Sequence, residues 1–274
     1  MTRSRFSVAL LVLMAVNARA QRLQLELRPK VGDTLRMQLD QVTEMSGSRK
    51  GASPKVSVTT MRMFSRAIVE SVDQATALIL AVTDSVDVTS TDEHARALGR
   101  EVVRQLEGRS MRLRLSPDGT VGVAQKSREV PKEVSDLVDV MPASFPRDSV
   151  SVGESWTREM PIARGSTLGA PVGGVVRANF RLDSVSRNGD VAYVSMQGTL
   201  DQQPAPATSE ATLSGSVNGS MVVNRRRGWL SETRFLVQMR STVTGKTARG
   251  TASPAPMQFR MKITQHMRVF DKRP

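Results

Sequence analysis

Two histidines, His94 and His266, are the only imidazoles in the chain, and cysteine is absent. Thiol nucleophiles and thiolate metal centres are therefore excluded. A Ser-His-Asp triad or a histidine zinc site would have to be built on one of these two residues, which lie in different halves. His94 stands beside Asp92 and Glu93 at the start of a helical pattern, and His266 falls on the polar side of an alternating strand, so each has a plain structural reading. The spacing of other nucleophile motifs is wrong. Gly165-Ser166-Thr167-Leu168-Gly169 carries threonine where a nucleophile elbow needs serine. No lysine follows a serine by three residues. Gly245-Lys246-Thr247 imitates the end of a phosphate loop, yet position 240 is arginine where that loop needs glycine. No catalytic residue, cofactor-binding residue or metal ligand is assigned, and the chain is expected not to be an enzyme and to carry no cofactor.

Two acidic pairs, Asp84 with Asp87 and Asp183 with Asp190, are the material a glycosidase would use, since that chemistry needs only two carboxyls that meet across a sugar. Sequence cannot place them face to face, and two Trp, one Tyr and seven Phe make a poor sugar platform, so a hydrolase ranks third among the readings. Arg225, Arg226 and Arg227 form a basic run beside Trp229 at an expected hairpin turn, the best candidate contact for an anionic envelope surface. Nucleic acid is not expected as a partner, because single-strand binding relies on exposed aromatic platforms. Methionines recur at alternate positions, at Met61 and Met63 and again at Met257, Met261 and Met267 around His266. Alternation puts His266 opposite Met267, which argues against a soft-metal site. Adaptable core filling and the lining of a lipid cavity stay open as alternatives.

These residues must be positioned by strands, because apolar residues alternate through most of the chain. Leu23, Leu25 and Leu27 alternate with polar residues, as do Leu35, Met37 and Leu39; Met111, Leu113 and Leu115; and Phe235, Val237 and Met239. In the last strand Met257, Phe259, Met261, Ile263, Met267 and Val269 share one face, and Arg260, Lys262, Thr264, His266 and Arg268 the other. Asn188-Gly189, Asn218-Gly219, Asp118-Gly119 and Arg227-Gly228 read as turns. Residues 92–107 place Ala95, Leu98, Val102 and Leu106 at helical spacing behind a Thr91 or Asp92 cap, and residues 132–141 follow Pro131 with a second helical stripe. Stretches at 46–55, 161–174, 202–209 and 245–256 read as loops.

The pattern repeats. VGDTLRMQL (31–39) corresponds to VGESWTREM (152–160), VESV (69–72) to LDSV (182–185), and LRLSPDGTV (113–121) to VVNRRRGWL (222–230). We read this as a tandem pair of β units, residues 21–145 and 146–274. The expected fold is mostly β, with two related curved antiparallel sheets, half-barrel-like, and a few short helices packed on them. Whether the units share one sheet is open. VGDTLRMQL, GRSMRLRLSPDGTV and MPASFPRDSVSVGESW resemble a group of uncharacterised exported bacterial proteins with a VGDSW-like motif, a resemblance that implies no activity, cofactor or site residue. In architecture alone the chain resembles periplasmic lipoprotein carriers of the LolA type, whose curved sheet shelters lipid.

The first twenty residues read as a secretory signal. Arg3 and Arg5 precede an apolar run from Phe6 to Val16, and Ala18-Arg19-Ala20 suits a signal peptidase, so cleavage is expected between Ala20 and Gln21. Without cysteine the product is not a lipoprotein. The leader carries three arginines and no acid, so the formal charge of +13 falls by 3 to +10. The expectation is an exported, periplasmic or extracellular, non-enzymatic envelope protein whose apolar sheet face shelters a lipid or other hydrophobic ligand. The alternative is a structural or interaction module that docks through a basic face on an anionic envelope surface.

Overall fold

The computed structural model of the chain describes residues 22–49, 53–124, 144–162, 174–202, 211–243 and 256–270. The expected leader with its Ala20–Gln21 junction, the helix at 132–141, and most of the loops at 161–174, 202–209 and 245–256 lie outside them.

The described chain is mostly antiparallel β. Its strands are β1 (Thr34–Arg49), β2 (Lys55–Asp73), β3 (Thr76–Ser90), β4 (Ser110–Leu115), β5 (Val121–Val123), β6 (Ser155–Ile162), β7 (Gly174–Val185), β8 (Val191–Gln202), β9 (Ala211–Asn224), β10 (Trp229–Val243) and β11 (Met257–Phe270), with one described helix, α1 (Glu93–Leu106), between β3 and β4. They form one sheet in the order β5-β4-β3-β2-β1-β11-β10-β9-β8-β7-β6. The half-barrel-like architecture is as expected, and the question left open by the sequence is closed. The two halves join where β1 pairs with β11 over fourteen registered positions, from Arg36↔Phe270 to Arg49↔Met257.

The sheet curls on itself. Along a flat sheet the β4–β5 and β9–β10 turns would lie about 29 Å apart, six strand spacings of about 4.8 Å. Yet the neighbouring amides of Leu27 and Arg28 reach Pro117 O in the first turn (2.8 Å) and Gly228 O in the second (2.9 Å). Successive Cα atoms are only about 3.8 Å apart, so the sheet must wrap round this strap. Leu23 forms a single bridge to Val150 beyond the far edge. The alternation at Leu23, Leu25 and Leu27 thus does report burial, with Leu25 fully enclosed, but these residues cross the base of the half-barrel instead of joining the sheet. Residues 144–150 close the seam from the other side: Phe145 N–H donates to Asp118 O (2.9 Å), and Trp156 Nε1 donates to Ser144 O (2.9 Å).

The two turns that open β1 and β6 share one construction. Gly32 N–H donates to Val69 O and Val69 N–H to Asp33 O, just as Gly153 N–H donates to Leu182 O and Leu182 N–H to Glu154 O. In each, the acid side chain accepts the amide three residues before it, Lys30 N to Asp33 and Ser151 N to Glu154, both at 2.9 Å. Bulges fall at matching places, between Val69 and Ser71 and between Leu182 and Ser184.

Three local expectations change. Asn218-Gly219 is no turn but lies inside β9, where Gly219 faces Phe235 across the β9–β10 pair. A Cβ on Gly219 would stand 2.3 Å from the Phe235 ring and 2.6 Å from the Arg234 carbonyl oxygen, so glycine here supplies clearance for the neighbouring strand and the aromatic ring laid over it. Gly219→Ala is expected to cost about 1–3 kcal/mol by forcing that ring aside, measured by denaturant unfolding. The polar stretch at 46–55 is largely strand: β1 continues through Ser46, Gly47 and Ser48 to Arg49 because β11 offers ladder partners as far as Met257 and the Phe259 ring covers Gly47. The stripe of α1 is rotated. Gly99 is the buried contact, with its missing Cβ against Val88, and Leu98 and Val102 remain 56% and 38% exposed. A glycine at the closest approach lets the helix backbone lie near β3, and this outweighs the pull of the larger leucine.

Candidate functional site

Alternation gives the curled sheet two faces of opposite character. The inner face carries Leu35, Val69, Ile79, Phe180, Leu182, Val194, Met196, Leu200, Leu213, Val217, Met221, Met239 and Ile263, all buried in one cluster with Leu23, Leu25, Leu27 and Phe145 from the base. Trp156 stacks on Phe180 across β6 and β7, with ring centroids 5.7 Å apart. Packing is not uniform along this face. On the β7–β9 flank residues stay buried up to Leu200 and Leu213. On the flank built by β1, β2 and β11, Ile263 is buried but Met61, Met63, Met257, Phe259 and Met261 on the same face are only half-buried, with Met45 at 41% exposed. The result is a methionine-rich wall, interrupted by Gln41, Thr43, Thr59 and Gln265 of the same face, that the described chain leaves partly uncovered. Unbranched, polarizable thioether side chains suit a wall that must fit irregular apolar shapes. Among the described residues no group of His, Asp and Glu could hold a metal ion.

The outer face is a lattice of ion pairs. Asp40 meets Arg62 (2.8 Å) and Arg268 (3.3 Å), Arg66 meets Asp84 (2.8 Å), Arg112 meets Glu70 (2.9 Å), Lys262 meets Glu44 (2.7 Å) and Arg177 meets Glu159 (3.0 Å). Partial burial works against the charge of Asp40, but hydrogen bonds from Arg62 and Gln38 and the pull of Arg268 outweigh it and hold its carboxyl below the ordinary range. Such surface pairs each contribute about 0–1 kcal/mol, so the lattice orients strands more than it stabilises them. Apolar inside and charged outside is the reverse of a barrel whose outer wall faces lipid. No described helix is long and apolar enough to cross a membrane.

His266 projects to this outer face, as its alternation predicts. Its Nε2 lies 2.7 Å from Glu232 Oε1, and Arg234 reaches the same carboxylate at 2.7 Å. The His266 hydrogen bond first, then Arg234, hold the Glu232 carboxyl below the ordinary 4.5 against the opposing effect of burial. A carboxyl depressed on folding stabilises the fold above its unfolded pKa, and that contribution is lost as pH falls through the lower folded value. Glu232→Gln is therefore expected to shrink the loss of thermal midpoint when pH drops from 6 to 3; an unchanged acid profile would contradict the pairing. His94 sits in the first turn of α1, where the Ala95 amide and Lys55 hold the Asp92 cap ionised below its ordinary range.

Most of the remaining sequence candidates are engaged in structure. Arg225 donates from Nη1 to Gly189 O at 2.5 Å and from its amide to Asp190 O, tying the β9–β10 turn to the β7–β8 turn. Arg227 uses its amide on Asn224 Oδ1 (3.0 Å), and Arg226 is exposed. Arg187, Arg225 and Arg226 line a cleft of about 640 Å³ at the base, together with Asp190. Glu26 and Glu154 also pair with arginines there, so the arginine run faces a mixed surface. Of the acidic pairs, Asp84 is held by Arg66, Asp183 accepts Ser195 Oγ (3.0 Å), and Asp190 accepts Asn188 Nδ2 (2.7 Å). Sequence reasoning did not find the seam residues Phe145, Trp156 and Arg158, nor Met45 on the wall. The one usable signal was the alternation of Trp156 with polar neighbours in β6.

Among solved structures, the COG4313 outer membrane channel from Pseudomonas putida F1 is similar at 12% identity over 89% of this chain and 97% of that one, with a TM-score of 0.23. OccK2 (OpdF) from Pseudomonas aeruginosa, solved in complex with glucuronate, is similar at 6% identity over 91% and 100%, also with a TM-score of 0.23. Overlaps of that size transfer neither architecture nor function. No curated protein matches the chain. Residues 131–230, which run from ahead of β6 to the start of β10, match the model of a family of unknown function, DUF6263.

Proposed function

We propose that this chain is a non-enzymatic, exported cell-envelope protein whose half-barrel shelters a lipid or other hydrophobic ligand against its inner wall. The observation that carries the reading is the contrast between the sealed base, where Leu25 and Phe145 are fully buried, and the half-buried wall of Met45, Met61, Met63, Met257, Phe259 and Met261. A sheet that leaves a methionine-rich set of apolar side chains half-exposed toward its own hollow is suited to receive something apolar. The twin turns and bulges support descent by duplication of one β unit, residues 21–145 and 146–274, and cleavage after Ala20 would release the folded product into the periplasm or beyond. Native mass spectrometry of protein purified without detergent tests the proposal. Adducts of lipid mass that disappear on extraction with organic solvent are expected; bare protein that also fails to bind an added apolar probe would refute it.

A further inference from the structure

On the outer face, β10 and β11 set Arg240 directly opposite Arg260. Directly opposed residues have Cβ atoms about 4.5–5.5 Å apart, and like charges there repel. Both arginines are exposed, and among the described residues neither forms an ion pair or hydrogen bond. They stand out because they oppose each other: Arg114 and Arg181, likewise exposed on this face without an ion pair among the described residues, stand opposite uncharged residues. The other opposed arginine pair, Arg36 with Arg66, is relieved because Arg66 is held by Asp84 at 2.8 Å.

The surroundings of Arg240 and Arg260 have the makings of an oxyanion site. Ser46 flanks Arg260 on β1, and Ser214 flanks Arg240 on β9, giving a row Ser46-Arg260-Arg240-Ser214 across four strands. The next outer row brings Lys262, paired with Glu44 at 2.7 Å, and Ser216. Both rows line one groove of about 580 Å³ floored by the backbone between them. Two arginines and a lysine against one glutamate leave a local charge of +2, which matches a phosphate dianion. Guanidinium groups bind such oxygens bidentately, and the serine hydroxyls are further donors.

We infer that the groove between Arg240 and Arg260 binds the phosphate group of an anionic ligand, at a site separate from the apolar inner wall. The bound anion would relieve the repulsion that the bare sheet carries. The test is isothermal titration at low ionic strength with two probes, inorganic phosphate and vesicles of phosphatidic acid in phosphatidylcholine. The variants are the double change Arg240→Gln with Arg260→Gln, and Arg181→Gln, which removes an exposed outer-face arginine of β7 outside the groove. The double variant is expected to weaken binding at least about tenfold, the control by less than about twofold. Loss confined to the vesicles makes the phosphate a lipid headgroup, loss with free phosphate makes it a soluble ligand, and both support the site. Absence of binding by the native chain to either probe, equal binding by the double variant, or an equal loss in Arg181→Gln overturns it.

Discussion

Replacing Phe145 with alanine is expected to destabilise the fold by about 3–5 kcal/mol and to lower the thermal midpoint by roughly 10 °C. The ring is fully enclosed at the base, where it packs against Gly119 in the β4–β5 turn. Its backbone is committed on both sides: the amide donates to Asp118 O, and the carbonyl accepts from Arg158 Nη2 at 2.5 Å. Because Trp156 Nε1 donates to the adjacent Ser144 O, loss of the ring should also free the indole. The variant should therefore unfold earlier and show red-shifted tryptophan emission before global melting. A cost below about 1 kcal/mol with unchanged emission would mean that the base is not held by this segment.

Gly228→Ala should be nearly as severe, for a different reason. Gly228 has φ of +64°, and a Cβ there would lie 2.3 Å from Arg28 O and 2.4 Å from Arg28 C. The strap cannot yield without losing the Arg28 N–H bond to Gly228 O, so the substitution expels backbone, not a flexible side-chain tip. Left-handed strain of about 1–2 kcal/mol adds to the lost contact, for a total of about 3 kcal/mol. Gly189 provides the control. Its φ is +76°, but its Cβ would meet only Arg225 Nη1 at 3.6 Å, so Gly189→Ala should cost the strain alone. Unfolding free energies, with hydrogen exchange at the Leu27 and Arg28 amides, separate the two. Equal costs, or undisturbed protection of the strap in Gly228→Ala, would contradict the plugged base.

What sequence could and could not show follows from how local each cause is. The faces of β11 were legible because burial on one side imposes alternation on Met257, Phe259, Met261 and Ile263, whatever the neighbours are. The tight turns at Gly119, Gly189 and Gly228 were legible because positive φ selects glycine. Gly219 was not, since a glycine that clears a cross-strand ring looks the same in sequence as one that turns the chain. The strap at 22–28 has the alternation of a strand, but its partners are turns more than 85 residues away, and no local pattern encodes them. The opposition of Arg240 and Arg260 depends on the register of β10 with β11, which only the folded sheet fixes. The methionine wall was visible as composition, and its half-exposure was not, because exposure depends on how far the sheet curls.

The most direct test of the open apolar wall compares one charge placed on either face at the same height. Met45 is on the inner face and 41% exposed, and Val56, opposite Ser46 on the outer face, is 60% exposed, so both should tolerate glutamate without unfolding. Binding of a fluorescent apolar probe such as N-phenyl-1-naphthylamine is measured for the native chain, Met45→Glu and Val56→Glu at matched stability. Burying an unpaired carboxylate beside the probe should weaken Met45→Glu by about tenfold or more, while Val56→Glu binds as the native chain does. Equal affinities for all three proteins would place the ligand elsewhere and contradict the account.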